Sequence, residues 1–283
     1  MKSDNYSPIG IFDSGFGGLS IFREIRQLLP RFDYVYLGDN GRAPYGDRSF
    51  DDVYRFTREA VFRMFDMGCP LVILACNTAS AKALRTIQQK DLVASADPTR
   101  RVLGVIRPTV ERVERLTYSG HIGLVATNAT ISSCSYEMEL AKTAPSIIVT
   151  SQACPRWVPM IESGLQNTAE MHEMVRQDLS TLLDRDPEID TIILGCTHYP
   201  LITSLIQTVL QQLDHPEIIL MPQGKPVAYS LRDYLSRHPE MLQRLSVSGS
   251  AAFYTSGPTQ SFEQLASLFI GRGVSVSANA LTW

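Results

Sequence analysis

The chain has 283 residues, 44% apolar and 19% charged, a composition that suits a folded globular protein large enough for two domains and excludes a disordered one. Its net charge of −3 recommends neither nucleic acid nor an anionic membrane as a partner. There is no basic tract, no apolar run of about 18 residues and no start resembling a signal peptide, so the expected location is cytoplasmic.

In chain order, short apolar runs predict strands at Ile9–Asp13, Tyr34–Leu37, Leu71–Ala75, Val102–Ile106, Ile122–Ala126, Ile147–Thr150, Thr191–Gly195, Ile218–Leu220, Ala252–Thr255 and Val274–Ser277. Apolar residues at helical spacing predict helices over Leu19–Leu29, Val53–Met67, Ala79–Ile87 and Met171–Leu183. Runs such as Val72-Ile73-Leu74 and Ile192-Ile193-Leu194 are apolar on both faces, as a parallel sheet covered by helices requires. The expected fold class is therefore α/β: two similar domains with largely parallel sheets flanked by helices, and a ligand cleft between them. The polar stretch Ala96-Asp97-Pro98 and a second crossing over 211–216 suggest the boundaries. Residues 1–98 with about 210–283 form the first expected domain and 99–209 the second.

Asp13-Ser14-Gly15-Phe16-Gly17-Gly18 follows the first strand and opens a helix. Its spacing is neither the dinucleotide fingerprint nor a P-loop, and it reads either as a glycine turn packing strand on helix or as a cradle for a small anionic substrate. Asp13 favours the cradle, because an ionisable group at a strand end usually faces a ligand. Leu37-Gly38-Asp39-Asn40-Gly41-Arg42-Ala43-Pro44-Tyr45-Gly46 reads as a surface turn, or as a loop offering backbone donors and the Tyr45 hydroxyl.

The sharpest signal is a pair. Leu71–Ala75 delivers Cys76-Asn77-Thr78, and Thr191–Gly195 delivers Cys196-Thr197-His198, each a thiol at a strand's carboxyl end with small hydrogen-bonding residues beside it. A single such cysteine reads equally well as a small buried hydrophobe. Two in matching contexts point to a shared task, and a thiol near a helix start is suited to proton transfer near neutral pH. His198 is either a turn histidine or a proton partner for Cys196. Glu162, on an otherwise apolar stretch, reads from the residues alone as a solvated helix face. Cys69, Cys134 and Cys154 lack these surroundings, and Cys69 should be structural. Five scattered cysteines without a C-x-x-C describe free thiols, and no second cluster joins Cys196 and His198 to make a metal site.

In this order, Asp13-Ser14-Gly15-x-Gly17-Gly18, Pro44-Tyr45-Gly46, Ala75-Cys76-Asn77-Thr78 and Gly195-Cys196-Thr197-His198-Tyr199-Pro200-Leu201 resemble the glutamate racemases of the cofactor-independent aspartate/glutamate racemase superfamily, over nearly the whole chain. The resemblance implies no metal, flavin or pyridoxal phosphate. It implies two thiols working on opposite faces of the amino acid, Cys76 serving D-glutamate and Cys196 L-glutamate. Asp13 is implied to assist Cys76, and His198 with Glu162 to assist Cys196. Implied substrate contacts are Asp13, Ser14, Tyr45, Gly46, Asn77, Thr78, Thr197 and His198, with Thr127 as a further one. D-glutamate further implies supply of peptidoglycan precursors, and the expected assembly is a homodimer. Two segments depart from the family pattern, Arg107 in Gly104-Val105-Ile106-Arg107-Pro108 and Asp39-Asn40-Gly41 before Pro-Tyr-Gly. Neither is expected to touch the catalytic set. The rival readings are an aspartate or broad-specificity racemase, a hydrolase or amidotransferase with one covalent cysteine, and a non-enzymatic amino-acid sensor.

Overall fold

A computed structural model describes residues 6–270 and 277–283, and it divides the chain into two compact units, Met1–Val105 with Gly224–Trp283, and Ile106–Gln223. Each unit is a parallel sheet flanked by helices.

The first unit holds β1 (Ile9–Asp13), β2 (Tyr34–Gly38), β3 (Leu71–Leu74), β4 (Arg101–Gly104), β9 (Ala251–Thr255) and β10 (Ala278–Ala280) in the order β10-β9-β2-β1-β3-β4, every ladder parallel. β1, β2 and β3 are buried throughout, which explains their unbroken apolar runs. The second unit holds β5 (His121–Ala126), β6 (Ile148–Ala153), β7 (Thr191–Leu194) and β8 (Ile219–Met221) in the order β6-β5-β7-β8, again all parallel.

Helix ends follow local chemistry. Ser49 caps the helix Phe50–Asp66 by accepting the Asp52 N–H, and Thr168 caps Ala169–Arg185 by accepting that of Met171. The helix expected over Ala79–Ile87 is instead divided into Asn77–Lys82, Leu84–Thr86 and a π-helical turn at Ile87–Asp91. Among the described residues, no helix is long and apolar enough to cross a membrane.

Both boundaries fall later in the chain than its polar stretches suggest. β4 follows Ala96-Asp97-Pro98 but pairs with β3, so it belongs to the first sheet. β8 follows residues 211–216 but pairs with β7, so it belongs to the second. Ladder pairing, not the composition of the connecting loop, decides which sheet a strand joins. The strand expected over Val274–Ser277 lies outside the described residues except for Ser277, and β10 begins one residue later.

The two sheets share one plan. The first strand of each unit has its second strand on one side and its third on the other, so the winding direction reverses between the first and third strands. Ligands of open parallel sheets gather outside the carboxyl ends at such a reversal. The registers correspond: Phe12 pairs with Leu74 where Val125 pairs with Leu194, and the next amides, of Ala75 and Gly195, donate to Phe12 and Val125 at 2.8 Å each. Cys76 and Cys196 therefore stand at equivalent positions, each beside the end of its unit's first strand.

Candidate active site

All five cysteines are free thiols. Cys69 and Cys154 are sealed at 1% and 0% exposure, whereas Cys76 and Cys196 retain 6% and 9%. Cys134 is exposed at the surface.

In the first unit Cys76 is the residue before the helix Asn77–Lys82, and its sulfur accepts the Ala79 N–H at 3.4 Å. Ser14 Oγ lies 3.4 Å from the same sulfur. A donor amide at a helix start and a neighbouring hydroxyl together suit a sulfur that carries negative charge. Asp13 is fully buried at the end of β1, where Oδ2 accepts the Gly15 N–H at 2.9 Å. Tyr36 donates its hydroxyl to the Gly15 carbonyl at 3.1 Å. Burial pushes that phenol well up, and the charges of Asp13 and Cys76 push it further. Asn77 and Thr78 are buried in the first turn after the thiol.

Tyr45 is buried in the core with its hydroxyl donated to Asp39 Oδ2 at 2.5 Å. The phenol thus anchors the loop that carries Gly46. Through this bond the Asp39-Asn40-Gly41 departure meets Tyr45, and the Asp39 amide also donates to the Asp13 carbonyl at 3.0 Å.

In the second unit Cys196 Sγ lies 3.8 Å from His198 Nδ1, and His198 Nε2 lies 3.0 Å from Glu162 Oε1. Burial alone would push the His198 imidazole down. The hydrogen bonds to Cys196 and Glu162, with their charges, outweigh it and raise it to about 10. Glu162 ends the helix Trp157–Glu162 and turns to the histidine, not to the free solvent its apolar stretch suggested. Thr197, between Cys196 and His198 in sequence, is buried, and Thr127 caps the helix Asn128–Ser132 through its hydroxyl.

A frame holds that relay. Trp157, first residue of the helix that ends at Glu162, donates its indole N–H to Asp178 Oδ2 at 2.7 Å. Its ring lies 4.8 Å from that of Tyr199, whose hydroxyl donates to the Cys154 carbonyl at 3.1 Å. On another side, Gln223 donates to Thr109 and Tyr136, and Tyr136 feels the charge of Cys196. Among the described residues no three or more His, Cys, Asp or Glu side chains could hold a metal ion.

The Asp/Glu/Hydantoin racemase family model matches residues 9–220. The glutamate racemase of Ruegeria sp. strain TM1040 is 39% identical over 280 residues, covering 95% of this chain and 99% of its own. The chain belongs to the Asp/Glu/Hydantoin racemase family. Among solved structures, the glutamate racemase isoform RacE1 of Bacillus anthracis superposes with a TM-score of 0.86 at 34% identity, covering 98% of both chains. The glutamate racemase of Francisella tularensis, solved in complex with D-glutamate, superposes with a TM-score of 0.83 at 30% identity, again over 98% of both chains.

Within this racemase family member, motif reading missed Asp39, Tyr36, Trp157 and Asp178. Asp39 had a signal of its own, since it follows β2 as Asp13 ends β1. Trp157 and Asp178 had none, because their contact joins two separate helices and no local spacing announces it.

Proposed function

We propose that the chain is a glutamate racemase that interconverts L- and D-glutamate by proton transfer between its own two thiols. One observation carries the reading: Cys76 and Cys196 occupy equivalent strand ends at the winding reversals of the two sheets, each with its own hydrogen-bonding partners. A covalent hydrolase or an amino-acid sensor has no use for the second thiol.

With L-glutamate, Cys196 as thiolate takes the α-proton and becomes a thiol. The electron pair of the broken C–H bond stays on the α-carbon and spreads into the carboxylate. Cys76, as thiol, then delivers a proton to the opposite face and is left as thiolate. The reverse sequence serves D-glutamate. The α-proton is a very weak acid, so donors around the carboxylate must hold the charge as it develops. In this reading Ser14, Asn77, Thr78, Thr197 and the backbone N–H groups of Tyr45 and Gly46 supply those donors, with Thr127 as a further contact. Asp13 assists Cys76. A thiolate at Cys196 faces the His198 imidazolium, which Glu162 holds in place. Acid and base are both the chain's own, so the scheme calls for no cofactor. D-glutamate made this way would serve peptidoglycan synthesis in a bacterial cytoplasm, by an enzyme working as a homodimer.

The experiment is α-proton exchange in deuterated water with L- and D-glutamate. Wild type should incorporate solvent deuterium at the α-carbon and convert each enantiomer into the other, while Cys76→Ala and Cys196→Ala each abolish racemisation. Racemisation retained by either variant would sink the two-thiol scheme. An aspartate pocket is the runner-up, since one methylene is worth only about 1–3 kcal/mol of discrimination. Faster turnover of aspartate would replace glutamate as the substrate.

A further inference from the structure

Asp39 is a fully buried carboxylate, and a buried charge persists only where donors surround it. On Oδ2 it accepts the Tyr45 hydroxyl at 2.5 Å and Arg42 Nε at 2.7 Å, both from its own loop. On Oδ1 it accepts Ser256 Oγ at 2.5 Å and the Trp283 indole N–H at 3.0 Å, both from distant parts of the chain. Ser256 also accepts the Gly41 N–H at 3.0 Å. The Trp283 ring lies under the Arg42 guanidinium at 3.9 Å, and the same guanidinium lies over Phe56 at 4.2 Å and reaches Glu59 at 2.5 Å. The segment bearing Trp283 is tied to β9, because the Leu281 amide donates to the Thr255 carbonyl at 2.8 Å. Trp283 itself is 47% exposed, so it fills no core cavity, and its two directed contacts both end on the Asp39–Gly46 loop.

We propose that Trp283 is a positioning residue that latches the Asp39–Gly46 loop, acting through Asp39 and Arg42 on the place of Tyr45 and Gly46. One carboxylate oxygen holds the loop's own Tyr45 and Arg42, and the other is held from outside by Ser256 and Trp283. The outside pair fixes the orientation of the carboxylate, and the carboxylate fixes Tyr45. The latch therefore orders the loop before substrate arrives, and its loss weakens binding more than proton transfer. This inference rests on the reading of Tyr45 and Gly46 as substrate contacts.

The test uses the full chain with two substitutions. Trp283→Phe keeps a ring beside Arg42 and removes only the N–H. Trp283→Ala removes both contacts. Trp283→Phe should raise KM about fivefold for both enantiomers with kcat within about twofold, the worth of one modest hydrogen bond. Trp283→Ala, which also loses the cation–ring contact, should raise KM about 10- to 30-fold. Amide hydrogen exchange over residues 39–46, followed without substrate, should quicken in both variants, more in the alanine. Unchanged exchange overturns the latch whatever the activity. Faster exchange with unchanged KM overturns its role in binding, and a fall in kcat at constant KM moves Trp283 to the chemistry and overturns the proposal. Wild-type protein that turns over no glutamate refutes the glutamate reading instead, and exchange alone then decides the latch.

Discussion

Asp13 and His198 do not occupy corresponding positions: the register that matches Cys76 with Cys196 puts Ala126 where Asp13 stands and Thr78 where His198 stands. Two sheets of one plan thus place these two side chains on different strands. Asp13 comes from the first strand of its unit, and His198 follows the third strand of the other.

That asymmetry cannot appear in kcat/KM, because L- and D-glutamate are equal in free energy and the ratio of the two directions is fixed at unity. It should appear in isotope effects. Asp13→Asn and His198→Asn are each expected to lower kcat/KM about 100-fold, the low end for a positioned acid–base group. The primary deuterium effect should grow with α-deuterated D-glutamate in Asp13→Asn and with the L-enantiomer in His198→Asn. Equal effects on both enantiomers in both variants would refute the division of labour.

The raised His198 imidazole carries a pH signature. Between its ordinary value near 6.5 and about 10, the folded protein holds a proton that the unfolded chain has released, so stability falls as pH rises. The benefit is complete below about 6.5 and is lost through about 10. Urea midpoints of wild type and His198→Asn should converge as pH is raised from about 7 to 10. A gap that stays constant over that range would mean that the histidine gains nothing from Glu162 and Cys196.

Gly18 leaves Asp13 its space. A Cβ at Gly18 would fall 2.5 Å from the Asp13 Cβ and 2.9 Å from the Tyr36 hydroxyl. Gly18→Ala should cost about 1–3 kcal/mol of stability and lower racemisation with it, since Asp13 must move. Gly120, at φ +80 with its nearest atom 3.7 Å from such a Cβ, is the control. Gly120→Ala should cost about 1 kcal/mol through its left-handed backbone and leave turnover intact.

Trp157→Phe keeps the ring against Tyr199 and strips one donor from Asp178, whose carboxyl burial already pushes up. The loss should be about 1–3 kcal/mol in a denaturant titration at neutral pH. It should shrink on acidification, because protonating Asp178 removes the charge that lacks its donor.

The sheets and the paired thiols were legible because each rests on local pattern. Unbroken apolar runs read as buried parallel strands, and a cysteine just beyond two of them read as a pair. Glu162 was not legible from its surroundings, since only the fold turns the end of its helix toward His198. The bonding of Tyr45 was not legible, because its partner Asp39 is recruited by donors from Ser256 and Trp283, more than 200 residues away. The boundaries failed for the same reason. β4 and β8 are assigned by the strand beside them, and a polar linker carries no record of that pairing.

The discontinuous first unit has a consequence for biogenesis. β1, β2, β3 and β4 leave the ribosome before the second unit, yet at that point β2 lacks its outer neighbour β9, and the helix Leu19–Leu28 lacks the helix Gly224–Arg237 that packs on it. The second unit, an uninterrupted stretch, can close while that strand edge stands open. The Cys76 side of the enzyme is therefore begun before the second unit and completed after it, and a nascent chain stalled before Ala251 presents an unpaired edge to chaperones or to other chains.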